Sequence, residues 1–456
     1  MPSLPFRSVL VANRGAIAAR IIRCLREHGV RSIAVYSEAD ADLPYLRAAD
    51  EAHCIGPGPA RESYLVADRI LELARERRAE AVHPGYGFLS ENAGFARAAA
   101  AAGIVFIGPS PDAIDAMGEK TAARALMRLK GLPLARGSAI LPADNDAVLA
   151  AAREIGFPVL VKPAGGGGGI GMLAAKDEAS LLAAVERARG LAGRSFANPD
   201  VYLEKLIETP RHIEFQLIGD QHGQVRHLFE RDCSLQRRHQ KVIEESRAPN
   251  IPTSELDAMA EVSVRAVRDI GYHTVGTVEM LRGADGAFSF LEMNTRLQVE
   301  HAVTEMITGI DLVAAQINTA GGAHLRDILP ATITATGHAI EARVYAEDPK
   351  NFFPSPGPLT HFRPPTTNAT LRVETGYAEG VMVTPFYDPM IAKVIAHGPT
   401  REAAMDRLAS GLGAFEVTGI KTNIPFVLRA LAHPEFRAGH VHTGLAPIIA
   451  GARPRD

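Results

Sequence analysis

The sequence is short of several things. No apolar run approaches the roughly 20 residues of a bilayer-spanning helix. Near the amino terminus only the four residues "VLVA" run together before polar residues return, too few for a secretory signal core. Cysteine is scarce: Cys24, Cys54 and Cys233 lie far apart, with no C-x-x-C and no metal-ligand spacing. That excludes a disulfide framework and a thiolate metal site, and it predicts buried, reduced thiols in a cytoplasmic protein. Excess charge is missing too. With 49 Lys and Arg against 52 Asp and Glu, no whole-molecule field draws nucleic acid or an anionic membrane. Nor is there a dinucleotide fingerprint, since the first strand–helix turn reads "ANRGAIA" rather than G-x-G-x-x-G.

What is present is enough chain for several cores, because 456 residues exceed one ordinary domain. The first hundred residues alternate short apolar strands ("SVLVA", "RSIAVYS", "AHCI", "EAVHPG", "IVFIG") with helical stretches. In the first helix Ile17, Ile21, Ile22 and Leu25 recur at helical spacing. This rhythm predicts a parallel sheet flanked by helices over 1–107. Two helices in "PSPDAIDAMGEKTAARALMRLKGLP" bridge 108–134. A smaller two-layer unit follows over 135–206, and from 207 to 456 the pattern becomes largely antiparallel, with strands such as "HIEFQLIG" and "QVRHLFERD" about the turn "DQHG". "HPGYGFLSEN" leaves a parallel strand and enters a helix, with Ser90 as the expected N-cap. Ligands gather at such strand ends, although a plain glycine-rich turn around a packed tyrosine explains the motif equally well.

The small unit contains "KPAGGGGGIGM", from Lys162 to Met172. By composition alone this is a linker. The flanks "FPVLVKP" and "GMLAAK" both read as strands, and a glycine loop between strands brings backbone N–H groups close to an anion. Lys162 adds a point charge suited to phosphate, so a phosphate loop on a small lid is the expectation.

A hairpin, "TVGTVEMLR-GADG-AFSFLEMN", supplies the next piece. With Asp285-Gly286 at the turn, Glu279 opposes Glu292 and Thr277 opposes Asn294, all on one face. Opposed carboxylates repel, so a shared proton, a cation or a metal must offset them. Alone, this is a solvated sheet face. Beside a phosphate loop, Glu279, Glu292 and Asn294 become a hard oxygen ligand set for Mg²⁺ or Mn²⁺. "TRLQVEH" follows at once, where Arg296 offers a planar donor fork and Glu300 a base; a surface ion pair is the competing reading. In "ERDCSLQRRHQK", Gln236, His239 and Lys241 suit a pocket for small anions. No aromatic residue interleaves the run as in a nucleic-acid stripe, and a solvated charged face remains a third reading.

Taken together, "VANRGAIAARIIR", "HPGYGFLSEN", "GEKTAAR", "KPAGGGGGIGM", "PRHIEFQ", "ERDCSLQRRHQK", "EMNTRLQVEH", "TEMITGIDLV", "GHAIEARVYAEDP", "YDPMIAKVI" and "GIKTNI" resemble biotin carboxylases of the ATP-grasp superfamily, in family order and essentially end to end. The resemblance implies α/β and α+β structure in a three-domain ATP-grasp architecture: a Rossmann-like parallel sheet, a small mobile lid and a mixed carboxy-terminal domain. It implies that Lys120 and Lys162, with Gly168, Gly169 and Met172 of the loop, contact ATP. Glu204, Lys205, Leu206 and Ile207 would meet the adenine, and His212, Gln236 and His239 would line the nucleotide site. Two Mg²⁺ or Mn²⁺ ions would sit on Glu279, Glu292 and Asn294. Bicarbonate would be held by Lys241, Arg296, Gln298 and the Val299 backbone and deprotonated by Glu300. Arg343, with Tyr86 nearby, would stabilise the biotin ureido oxygen.

No "AMKM" biotinylation segment appears. The resemblance therefore implies a separate biotin carboxyl carrier protein and a separate carboxyltransferase subunit, as in the acetyl-CoA carboxylases of fatty acid biosynthesis, and it implies a homodimer. Two departures stand out. Ile170 occupies a position where relatives often carry Arg or Lys, which predicts weaker ATP binding or looser closure; Ile170→Arg tests this through the ATP KM. Arg247 in "IEESRAP" is expected near the active-site mouth. Two other readings compete. Another ATP-grasp ligase of carbamoyl-phosphate type would use the same phosphate and metal parts without needing biotin. A nucleotide-binding regulatory subunit is disfavoured by intact Lys241, Glu300 and Arg343.

Overall fold

The strand Ser8–Val11 is buried along its whole length, as a continuous apolar run at the centre of a parallel sheet should be. The structure, a computed structural model, describes residues 4–165, 171–196 and 198–451. In it this strand is the middle of five parallel strands, ordered Glu51–Cys54, Arg31–Tyr36, Ser8–Val11, Ala81–His83 and Val105–Phe106. The order reverses between Ser8–Val11 and Ala81–His83, and a crevice opens beyond the carboxyl ends of strands at such a point. The two loops that leave there are tied together, because Asn13 Nδ2 donates to the carbonyls of Pro84 (2.6 Å) and Tyr86 (2.8 Å). The helix Gly15–Glu27 buries Ile17, Ile21, Ile22 and Leu25 as the spacing predicts.

Two local expectations fail. Asn92, not Ser90, caps the helix Ala93–Ala101, accepting from the Phe95 N–H at 2.8 Å. The chain needs two more residues than expected to leave the glycine turn, and Ser90 is buried within it. Cys24 and Cys233 are buried free thiols, whereas Cys54 is exposed. Its strand lies at the sheet edge, where alternate side chains face water.

The helices Pro111–Gly118 and Lys120–Leu129 follow. Glu119 caps the second, accepting from the N–H groups of Thr121 (2.9 Å) and Ala122 (2.7 Å), which fixes Lys120 at its first turn. The small unit has four antiparallel strands, ordered Gly137–Ile140, Val201–Lys205, Val159–Pro163 and Leu173–Ala175. Its helices Asn145–Ile155 and Glu178–Phe196 close a separate core that includes Val148, Ile155, Val161, Leu181, Val185 and Leu203. The glycine segment connects Val159–Pro163 to Leu173–Ala175, which pair with Val161 opposite Leu173. Gly168, Gly169 and Ile170 lie outside the described residues.

The remainder is built on eight strands, ordered Phe288–Asn294, Thr274–Arg282, Arg211–Gly219, Val225–Arg237, Gln240–Ser246, His338–Tyr345, Met390–Gly398 and Leu371–Thr375. Every neighbouring pair is antiparallel; the domain is mixed in its combination of helix and strand. One hydrophobic core joins Ile17, Ile21 and Leu25 of the first helix to Ile340, Val344 and Val394 of this sheet. The approach is close: a Cβ on Gly376 would come within 2.3 Å of the Gly15 carbonyl carbon. Among the described residues no helix is long and apolar enough to cross a membrane.

Candidate active site

The hairpin places Glu279 opposite Glu292 and Thr277 opposite Asn294. It gets there by two offsets that cancel. The turn closes through Gly283 N–H to Ala287 carbonyl, and Arg282 pairs with Phe288, one residue out of step with a loop centred on Asp285-Gly286. A bulge at Leu291 restores the step. On the other side Glu214 lies opposite Glu279, so three carboxylates form a row across adjacent strands. Such a row survives only if cations meet it.

Lys241 is the principal cation. Its Nζ lies 2.6 Å from Glu214, 2.9 Å from Glu279 and 2.6 Å from Glu300. Burial pushes its pKa down, but these carboxylates overcome that and hold it well above the ordinary lysine value. Arg231 closes the far side of Glu214 at 2.5 Å, and His212 Nε2 is 2.9 Å from Glu279. Glu292, at the outer end, has Lys120 at 3.7 Å.

Glu300 sits behind the cleft wall, fully buried, against Lys241 and also Arg343 Nη2 at 2.9 Å. Burial is the largest influence on its carboxyl and pushes it upward. Lys241, Arg343 and Arg231 together reverse this and hold it well below the usual carboxylate range. Arg343 is clamped from its other edge by Glu244 at 2.5 Å. Arg296 donates to Glu91 (2.8 Å), Gln298 (3.0 Å) and Asn294 (2.8 Å), and Gln298 donates to Glu279 at 3.0 Å.

A single cleft of about 1190 Å³ runs past these groups. Lys241, Arg296, Gln298, Val299 and Arg343 line it, with Tyr86 from the loop after the parallel strand Ala81–His83. Glu279, Glu292 and Asn294 line it too, as do Lys120, Lys162, Met172 and the run Glu204, Lys205, Leu206 and Ile207, with His212, Gln236 and His239. Lys162 Nζ bonds Glu204 at 2.8 Å, and Arg124 takes the other oxygen at 2.7 Å. Burial outweighs Glu204 and lowers the Lys162 pKa. His239 is presented by a two-residue turn, Arg238-His239, between Arg237 and Gln240, with φ of 50° and 65°. Two successive non-glycine residues in the left-handed region carry local strain, a feature of binding sites.

The donors fit a hard divalent ion. Glu279 and Glu292 stand side by side with the Asn294 amide on one strand face, all oxygen ligands, and Glu292 points to the cleft with its nearest cation at 3.7 Å. Among the described residues, however, Glu279 groups within 4.8 Å with His212 and Glu214 rather than with Glu292.

Sequence reasoning missed Glu214, Arg231, Glu244 and Glu91. The alternation in "HIEFQ" sets His212, Glu214 and Gln216 on one face and could have exposed the first; Glu91 and Glu244 needed the tertiary fold. Arg247 lies away from the cleft. It pairs with Glu230 at 3.2 Å and stacks on Phe229 at 5.1 Å, so the expected place at the mouth is wrong.

Comparison with known proteins identifies the family. Residues 5–114 match the family described as biotin carboxylase, N-terminal domain, residues 119–328 the carbamoyl-phosphate synthase L chain, ATP binding domain, and residues 341–446 the biotin carboxylase C-terminal domain. A biotin carboxylase of Halalkalibacterium halodurans is 48% identical over 438 residues, covering 96% of each chain. The biotin carboxylase domain dimer of Hydrogenobacter thermophilus 2-oxoglutarate carboxylase, solved with MgADP, ADP and bicarbonate, superposes with a TM-score of 0.93 at 42% identity, covering 98% of this chain and 99% of that one. Campylobacter jejuni biotin carboxylase, solved as a β-γ-ATP complex, gives 0.93 at 42%, covering 96% and 98%. With its three regions in order and near-complete coverage, the chain belongs to the biotin carboxylase family and has its ATP-grasp architecture.

Proposed function

We propose that this chain uses ATP and bicarbonate to carboxylate biotin carried on a separate protein, through carboxyphosphate. One observation carries the reading: Lys120 and Lys162 line the same cleft as Lys241, Arg343, Glu279 and Glu292, and Glu300 is bonded to Lys241 and Arg343 just behind its wall.

Lys120 and Lys162 bind the ATP phosphates, the latter exchanging Glu204 for phosphate. Glu204 to Ile207 face the base. Glu279, Glu292 and Asn294 hold Mg²⁺ or Mn²⁺, which when bound neutralises charge on the phosphate oxygens. Bicarbonate takes the donors of Lys241, Arg296 and Gln298 and the Val299 N–H. An anion that draws Lys241 away removes one of the charges that depress Glu300; burial then raises its proton affinity. The base is thereby strengthened by the substrate whose proton it accepts. Attack of the bicarbonate oxygen on the terminal phosphorus releases ADP and forms carboxyphosphate, which a closed site must shield from water. The biotin ureido nitrogen, once deprotonated, takes the carboxyl carbon as phosphate leaves. Arg343 balances charge on the ureido oxygen, with Tyr86 across the cleft.

The division into 1–107, 108–134, 135–206 and 207–456, with 135–206 as the lid, is part of this reading and is supported by the separate small core. So are a second copy of the chain, since a relative is a domain dimer, a carrier protein and a carboxyltransferase partner. ATP hydrolysis that requires both bicarbonate and free biotin is the expected result. Turnover with bicarbonate but indifferent to biotin would favour a ligase of another ATP-grasp type instead.

A further inference from the structure

The turn carrying Gln298, Val299 and Glu300 is held from beneath by two side chains with no part in the chemistry above. His301 donates from Nδ1 to the Gln298 carbonyl at 2.7 Å, and Lys393 Nζ donates to the Val299 carbonyl. Both side chains are fully buried. A trans peptide is planar, with its C=O and N–H pointing in opposite directions. Each bond therefore fixes a whole plane. His301 sets the direction of the Val299 N–H, and Lys393 sets the next plane, from which the Glu300 side chain departs. Neither N–H has a partner among the described residues, and Val299 lines the cleft.

Both holders are themselves fixed. Lys393 Nζ is 2.9 Å from Glu374 and 3.5 Å from Glu341. Burial works against its charge, but these carboxylates raise its pKa and keep it cationic. Burial, aided by the Lys393 charge, pushes the His301 imidazole down to about 4, so the ring is neutral. A carbonyl only accepts, which puts the single ring proton on Nδ1; Nε2 is left without a partner.

We infer that Lys393 and His301 are positioning residues for the anion site, aiming the Val299 N–H and the Glu300 carboxylate at bicarbonate without touching it. The inference rests on the roles proposed above for Val299 and Glu300. It predicts damage confined to bicarbonate: a residue that merely neutralised Glu374 and Glu341, or filled space, would not separate one substrate from the other.

The test compares KM values in biotin-dependent ATP hydrolysis for wild type, Lys393→Met, His301→Ala and His301→Asn. The Asn amide can place a donor near the position of Nδ1. Lys393→Met and His301→Ala should each raise the bicarbonate KM about tenfold, as loss of one well-made hydrogen bond allows, with the ATP KM changed less than about twofold. His301→Asn should recover most of the loss. If Lys393→Met aggregates because Glu374 and Glu341 are left unpaired, the His301 pair decides alone. An unchanged bicarbonate KM in His301→Ala, or an equal rise for ATP, overturns the positioning role while active wild type preserves the proposed reaction. Wild type without bicarbonate- and biotin-dependent turnover overturns both.

Discussion

Two buried lysines, Lys162 in the small unit and Lys241 in the large sheet, line the same cleft in opposite electrostatic conditions. Lys241 touches three carboxylates, and its proton is held more tightly than in water. Lys162 touches one, Glu204, already shared with Arg124, and burial weakens its hold on the proton. The difference separates a pre-assembled end from one that awaits its ligand. On the proposed reading phosphate replaces Glu204 at Lys162, and Arg124 keeps Glu204 paired. Lys241 is common to Glu214, Glu279 and Glu300, so a ligand that draws it away changes the charge balance of all three at once.

Substituting the two lysines gives the sharpest contrast. Lys241→Met leaves Glu214, Glu279 and Glu300 short of a partner; a loss of about 3–5 kcal/mol in denaturant unfolding is expected, as for other broken buried pairs, with carboxylation abolished. Arg343→Ala should reduce biotin carboxylation by about 10²–10³, the scale of a lost charge stabiliser, while nucleotide affinity by calorimetry stays near wild type. Lys162→Met should leave stability within about 1 kcal/mol, because Arg124 keeps Glu204 paired, and raise the ATP KM roughly tenfold, the loss of one charge-assisted bond. Equal destabilisation by Lys162→Met and Lys241→Met would erase the distinction. Acid titration gives the smallest effect. Glu279 and Glu300 are both held low, chiefly by Lys241 against the opposing effect of burial. The stability they contribute is present above the unfolded carboxyl value of about 4.3 and is lost as pH falls through their lower folded values. Wild type should therefore lose stability steeply below that point, and Lys241→Met more gently, by chemical denaturation at stepped pH.

Much of this layout was legible because polar residues break a pattern. Alternation in the hairpin named Glu279, Glu292 and Asn294, and helical spacing named the buried face of Gly15–Glu27. The hairpin pairing, however, came out right only because a turn one residue out of step is corrected by the bulge at Leu291, and no local signal in "AFSFLEMN" announces a bulge. Glu244 and Lys393 were invisible as site residues for another reason. Lys393 is one charge in an apolar strand and Glu244 one of several in its own, and only the order of strands in the eight-stranded sheet reveals what stands beside them. Ser90 illustrates the limit of cap rules, since Ser and Asn are both good caps and the path of the glycine turn chose between them.

The common core between the first helix and the last strands makes the four-stranded unit a detour from a closed body rather than a bead on a string. A protease cut within residues 135–206 would leave the two flanking parts gripping each other through Ile17, Ile21, Val344 and Val394. The walls of the cleft that these parts build would then stay aligned even with the small unit severed.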